Sequence, residues 1–248
     1  TINTIIRLFE ESGLETAIAA PTGRAAKRIT ETSGFEAKTI HRLLEYTFMG
    51  EDETVMRFGR NQENPLDADV IIIDEASMID ILLMNALLNG IKDGARLILV
   101  GDADQLPPVG AGNVLRDIID SEVVHVVRLK EIFRQAKESL ITVNAHRINH
   151  GEYPFINEKE KDFFFLQRKG EQEILETMKE LCCKRLPRFY SNLDPVRDFQ
   201  VLTPIKKGIL GAANLNGQLQ EVLNPPDSLK KEKVFKQRIF REGDKVMQ

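Results

Sequence analysis

The stretch DVIIIDEASMID begins at Asp69, and its four apolar residues run straight into two adjacent carboxylates, Asp74 and Glu75. In an open α/β fold, side chains at the carboxyl end of a parallel strand face the crevice where ligands bind. An aspartate there can hold Mg²⁺, largely through water, because magnesium keeps much of its hydration shell. A neighbouring glutamate can orient or deprotonate an attacking water. The same dipeptide could also simply close a strand at a solvated loop. A second stretch, LILVGDADQLPPVGAGNV, repeats the arrangement, with an acid and then Gln105. A glutamine there can hydrogen-bond a γ-phosphate or its attacking water, and two prolines stiffen the loop that carries it. Two strands ending in D-E and G-D-x-x-Q together favour nucleotide chemistry over two polar turns.

Further along, LKEIFRQ carries Arg134, a cation able to neutralise charge developing on phosphates. Standing alone, it would read as a surface arginine near a helix start. APTGRAAKR offers Thr22, Arg24 and two more cations ahead of a helix, and TIHR adds Thr39, His41 and Arg42. Hydroxyls and helix-start amides can grip a nucleic-acid phosphate. LTPIKKGILGAANLN, with Thr203 and Lys206, repeats that design far along the chain. Paired loops of this kind could hold one strand at two points.

The elements that must carry these groups follow from periodicity. TINTIIRLFEESG places Ile2, Ile5, Ile6 and Phe9 on one helical face, with Gly13 as the stop. ETAIAAP reads as a strand, TGRAAKRITETSG as a helix ending at Gly34, and TIHRLLEY as a short helix. Two strand-like runs around a polar GEDE turn predict a β-hairpin excursion over residues 45–67. ADVIIID and ARLILVGD are nearly all apolar, as strands of a covered parallel sheet are. A helix over ASMIDILLMNALLNGIKDG should join them, and VVHVVRL should continue the β-α-β series. After about residue 128 the pattern restarts, with a helix at ESLITVNAHRINHG, strands at DFFFLQ and DFQVLTP, and helices between and after those strands. The predicted fold class is α/β with two parallel-sheet domains, the first bearing the hairpin.

In the 248 residues, 42% are hydrophobic, which suits an ordinary globular protein, and no apolar run approaches the ~20 residues that span a bilayer. With no basic-then-apolar signal segment at the start, a cytoplasmic setting is expected. The only cysteines, Cys182 and Cys183, are adjacent, so they are read as reduced, partly buried thiols. A formal net charge of −4 argues against a protein that coats nucleic acid by bulk charge, while leaving room for a narrow basic track.

In order and spacing, APTGRAAKR, TIHRLL, IIIDEASM, GDADQLPPVGAGNV, IFRQA and LTPIKKGILGAANLN resemble the superfamily 1 helicases, and within them the RecD-like branch (the exodeoxyribonuclease V alpha subunit and its stand-alone relatives). The resemblance implies two RecA-like domains of the P-loop NTPase type that hydrolyse ATP with Mg²⁺ and step 5′ to 3′ along single-stranded DNA. It makes Asp74 the metal-binding acid, Glu75 the water-activating base, and Gln105 and Arg134 the γ-phosphate contacts. It puts Thr22, Arg24, Thr39, His41 and Thr203 on the DNA track. It makes the hairpin a pin that splits duplex junctions, with Tyr46, Phe48 and Phe58 near it. Its partners would be DNA and, in some relatives, nuclease or helicase subunits. Residues 1–128 and 129–231 would be the two domains, and 232–248 the start of an SH3-like insertion. No G-x-x-x-x-G-K-[ST] phosphate loop occurs in these residues, although the family places one just before the first helix. The chain is therefore expected to be cut at both ends and to turn over no ATP by itself. The rival expectations are a catalytically silent nucleic-acid-binding or interaction piece, and a P-loop ATPase acting on protein.

Overall fold

A computed structural model describes residues 2–48, 56–129, 139–156, 158, 162–236 and 238–246. The chain divides into two compact units, Thr1–Lys137 with His146–Glu152, and Glu138–Ala145 with Tyr153–Gln248.

In the first unit, helix α1 (Ile2–Glu11) leads through a turn at Gly13 into strand β1 (Thr16–Ala20). Helix α2 (Gly23–Ser33) follows, bounded as its sequence predicts. Thr22 caps its start, and Gly34, at φ 79°, takes the left-handed conformation that ends it. Strand β2 (Ala37–Thr39) was not expected, because three residues of mixed polarity carry no periodic signal. The short helix α3 (Ile40–Leu43) and the hairpin strands β3 (Tyr46–Phe48) and β4 (Met56–Phe58) come next. The hairpin is antiparallel, with Tyr46 opposite Phe58, and its GEDE turn lies outside the described residues.

Strands β5 (Val70–Ile73) and β6 (Arg96–Leu99) flank helix α4 (Ile81–Asn89). The helix expected to begin at Ala76 is interrupted. A 3₁₀ turn spans Ala76–Met78, and Asp80 then starts α4 afresh, its carboxylate accepting the Leu83 N–H at 2.8 Å. Helix α5 (Val114–Asp120) follows the second acidic loop.

All four sheet strands are parallel, in the order β2-β1-β5-β6. Val70, Ile71, Ile72 and Ile73 are wholly buried because helices cover both faces of the sheet. Ile71 and Ile73 join one core with Ile40, Leu44 and Leu87, while Val70 and Ile72 join the other with Ile6, Ala26 and Ile29. The expected apolar face of α1 packs as predicted, with Ile6 buried and Ile2, Ile5 and Phe9 beside it.

The predicted helices form at α6 (Leu140–Asn149), whose residues up to Ala145 fall in the second unit, and within that unit at α7 (Glu171–Glu180) and α9 (Ala212–Leu223), with the short α8 (Leu186–Phe189) between. Strands β7 (Glu232–Phe235) and β8 (Arg238–Arg241) make a closing antiparallel pair. The parallel strands expected there are not found among the described residues. DFFFLQ and DFQVLTP run without ladder partners, leaving Phe164 and Leu202 exposed. VVHVVRL likewise forms no ladder. An apolar run becomes a parallel strand only through hydrogen bonds to distant neighbours, and its own composition cannot supply them. Cys182 is buried and Cys183 half-buried, both as free thiols, and burial pushes both pKa values up.

One local feature of this unit is open to a pH test. The Asp162 carboxylate accepts the Leu140 N–H at 2.7 Å, the Ile141 N–H at 3.3 Å and the Ser139 hydroxyl, capping α6 from a distance in sequence. The Ser139 hydrogen bond, with the helix amides, holds its pKa below the ordinary 3.8. A depressed carboxylate stabilises the fold above its unfolded pKa and loses that contribution as pH falls through the folded value. The Leu140 and Ile141 amide resonances are therefore expected to titrate together with a midpoint below 3.8, and Asp162→Asn should abolish the transition.

Candidate functional site

The register brings the chemistry to one edge of the sheet. Ala20 pairs with Thr39, Ala19 with Ile73, and Ile73 with Leu99, so β5 and β6 end together and β1 and β2 end together one residue further on. The residues that follow them are Pro21–Gly23, Ile40–Arg42, Asp74–Glu75 and Val100–Gln105. From β1 the chain crosses to β2 on one side, and from β5 it crosses to β6 on the other. The reversal falls between β1 and β5, and such a switch point opens a crevice at the carboxyl ends of the strands. Asp74 and Glu75 therefore stand at the crevice, with Thr22 across it.

Asp74 and Glu75 are half-buried, and their carboxylates have no side-chain partner among the described residues. The Asp74 N–H donates to the Ala19 carbonyl at 3.0 Å, tying the acid to β1. Glu75 is held at φ 53° and ψ 38°, a left-handed conformation that non-glycine residues seldom adopt and that clusters at functional sites. The next N–H, of Ala76, donates to the Val100 carbonyl at 2.9 Å, so the acidic turn is bound to the end of β6. Gly101 makes this approach possible. A Cβ there would lie 3.0 Å from the Ala76 nitrogen and 3.1 Å from that of Ser77.

Gln105 is exposed on the loop after β6, and its N–H donates to the Asp102 carbonyl at 3.2 Å. Arg116, from α5, braces the same loop by donating to the Ala103 carbonyl at 2.7 Å and to the Asp104 carboxylate at 3.1 Å. Sequence reasoning missed Arg116, because a single cation in a helix beyond the loop gives no local signal. It also missed Asp80. A Cβ at Gly110 would collide with that carboxylate, so the proline-containing loop folds back over the start of α4.

The loops after β1 and β2 lie side by side, since a Cβ on Gly23 would be 4.0 Å from the Thr39 methyl. Each threonine caps its own helix. The Thr22 hydroxyl accepts the Ala25 N–H at 3.3 Å, and the Thr39 hydroxyl accepts the Arg42 N–H at 3.1 Å. A hydroxyl that accepts keeps its hydrogen as a donor, so both remain competent to bind phosphate. Arg24, His41 and Arg42 are exposed nearby. His41 also makes ring contacts with the hairpin. Thr203 lies in the second unit, where its hydroxyl donates to the Leu210 carbonyl at 2.7 Å and closes its own loop. Arg134 falls outside the described residues.

Among the described residues no three histidine, cysteine or carboxylate side chains converge on a metal position. Magnesium takes one or two protein carboxylates and fills its octahedron with water and substrate phosphate. Asp74 and Glu75, unpartnered at the crevice, fit such a hydrated ion. No described helix is long and apolar enough to cross a membrane.

A covered parallel sheet with acids closing two adjacent strands at a switch point is the architecture of a RecA-like, P-loop NTPase-type domain. The chain belongs to the AAA domain family, whose model matches residues 1–170, and within it to the RecD-like members of superfamily 1. It is 36% identical to the ATP-dependent RecD2 DNA helicase of Deinococcus radiodurans, over 91% of this chain and 29% of that protein. It is 41% identical to the RecBCD enzyme subunit RecD of Mycobacterium tuberculosis, over 42% of this chain and 20% of that protein. The chain thus spans less than a third of the length of either relative. A solved Pif1 helicase from Bacteroides, in complex with ADP-AlF3 and ssDNA, aligns with 24% identity and a TM-score of 0.42 over 75% of this chain and 44% of that one. That likeness is too weak to add to the assignment.

Proposed function

We propose that the chain is core motor material of an ATP-dependent DNA helicase that moves 5′ to 3′ on single-stranded DNA in recombination or repair. One observation carries the reading: the carboxylates Asp74 and Glu75 and the threonine loops of Thr22 and Thr39 share one sheet edge, on adjacent strands. A nucleotide-dependent shift at the acids would then reach a bound strand across one strand spacing.

Asp74 holds the hydrated magnesium, which when bound neutralises charge on the nucleotide phosphates. Glu75 takes a proton from the attacking water. Gln105 orients that water or the γ-phosphate, on a loop steadied by Arg116. Arg134 neutralises charge that develops on the phosphates. Thr22, Arg24 and Thr39 hold the DNA backbone, with Thr203 a further contact on the second unit.

The test is single-strand-stimulated phosphate release by the full-length protein, together with strand separation of forks carrying only a 5′ or only a 3′ tail. Stimulated turnover with unwinding of 5′-tailed forks is expected. ATP turnover indifferent to DNA would instead support an ATPase that works on protein, and DNA binding without turnover would support a silent binding module.

A further inference from the structure

His41 was grouped by resemblance with the DNA-contacting residues, yet its ring is engaged elsewhere. It meets Tyr46 edge-on at 5.5 Å between centroids and at 90°, and it meets Phe58 at 6.1 Å and 41°. Tyr46 and Phe58 are themselves 5.3 Å apart, and they are the cross-strand pair at the root of the hairpin. The three rings therefore form a closed triangle between α3 and the hairpin stem. Contacts of this geometry are favourable because the positive edge of one ring meets the negative face of another.

The backbone beneath the triangle is equally tied. Leu44, wholly buried, accepts the Arg60 N–H at 3.1 Å through its carbonyl, and Glu45 accepts the Gly59 N–H at 3.2 Å. Glu45 turns the chain with φ 54°, and its carboxylate pairs with Arg60 at 2.9 Å. A two-stranded ribbon of three-residue strands is marginal by itself. An obstacle that splits a duplex must nevertheless resist the pull of the motor. What anchors the root of the stem can supply that stiffness.

We infer that His41 is a positioning residue: with Tyr46 and Phe58 it seats the hairpin on α3 and fixes the angle at which the hairpin meets a duplex junction. The inference rests on the helicase reading above. It moves His41 from the strand track to the mount, and it places the rings of Tyr46 and Phe58 at the root and not against the last base pair. Thr39 directly precedes α3 and caps it, so the mount and the strand-holding loop are one continuous piece of chain. Advance of the strand and the position of the obstacle are thereby coupled.

The experiment measures fork unwinding divided by ATP turnover on single strands, in the full-length protein. His41→Ala removes two ring contacts and is expected to lower that ratio about tenfold. His41→Phe keeps a ring and should return it to within about twofold of the unsubstituted protein, since only ring packing is asked of it. A third variant replaces residues 49–55 with a short Gly/Ser turn and should lose unwinding most severely. If His41→Ala and His41→Phe both weaken single-strand binding with the ratio unmoved, His41 is a strand contact and the mount is overturned. If His41→Ala keeps the ratio while the turn replacement loses it, the hairpin splits the duplex but His41 does not seat it. If the turn replacement unwinds at the unsubstituted rate, the hairpin is no obstacle and the mount is overturned, while the helicase reading stands.

Discussion

Glu75→Gln in the full-length protein is expected to lower ATP turnover by about 10²–10⁴-fold, the usual contribution of a positioned general base. The substitution keeps shape, hydrogen-bonding atoms and backbone demand, and removes only the capacity to take a proton. That matters at this position, because Glu75 sits at φ 53° and a residue that could not hold the turn would disturb the Ala76–Val100 link as well. Nucleotide affinity should stay nearly intact, since Asp74 is the acid proposed to hold the metal. The measurement is steady-state phosphate release at saturating ATP and single-stranded DNA, beside equilibrium binding of a labelled nucleotide. Turnover near the unsubstituted rate would remove Glu75 from the water-activating role. Loss of binding in parallel with turnover would show that the pair holds the metal jointly.

Arg134→Ala should produce the second large effect, a slowing of hydrolysis by roughly tens to thousands-fold, on the order of what an arginine finger contributes. The argument is electrostatic. A guanidinium aimed at the γ-phosphate is worth most where charge accumulates in the transition state, and little to a nucleotide that lacks that group. ADP affinity should therefore be almost unchanged while kcat falls. An equal loss of ADP and ATP affinity with no defect in turnover would make Arg134 structural. Arg134→Lys is a useful companion, since a point charge does not reproduce the planar fork and should recover only part of the rate.

Much of the first unit was legible because its signals are local. Four consecutive apolar residues before Asp74 could only be covered on both faces, and they are. A glycine after α2 marked its end. Tyr46 and Phe58 flank a polar turn at hairpin spacing, and they pair across the strands. The acids Asp74 and Glu75 could be singled out because a second apolar strand also runs into an acid and then Gln105, a pairing that two unrelated polar turns would seldom produce.

What the amino-acid sequence determined, then, was the α/β class, most of the element types in the first unit and the residues that follow β1, β5 and β6. The tertiary structure decided what those residues face. Strand order alone makes the space between β1 and β5 a crevice, and no local pattern encodes which strands become neighbours. Ring packing ties His41 to the hairpin, and a loop carbonyl takes the Thr203 hydroxyl, although both residues stand at positions the sequence assigned to DNA. Strand β2 exists because β1 offers it an edge, and without such an edge among the described residues DFFFLQ stays unpaired despite its stronger apolar run. The physical reason is common to all of these. Helix caps, turns and apolar periodicity act between residues a few positions apart, whereas sheet pairing and side-chain contacts are settled by distant segments competing for the same surface.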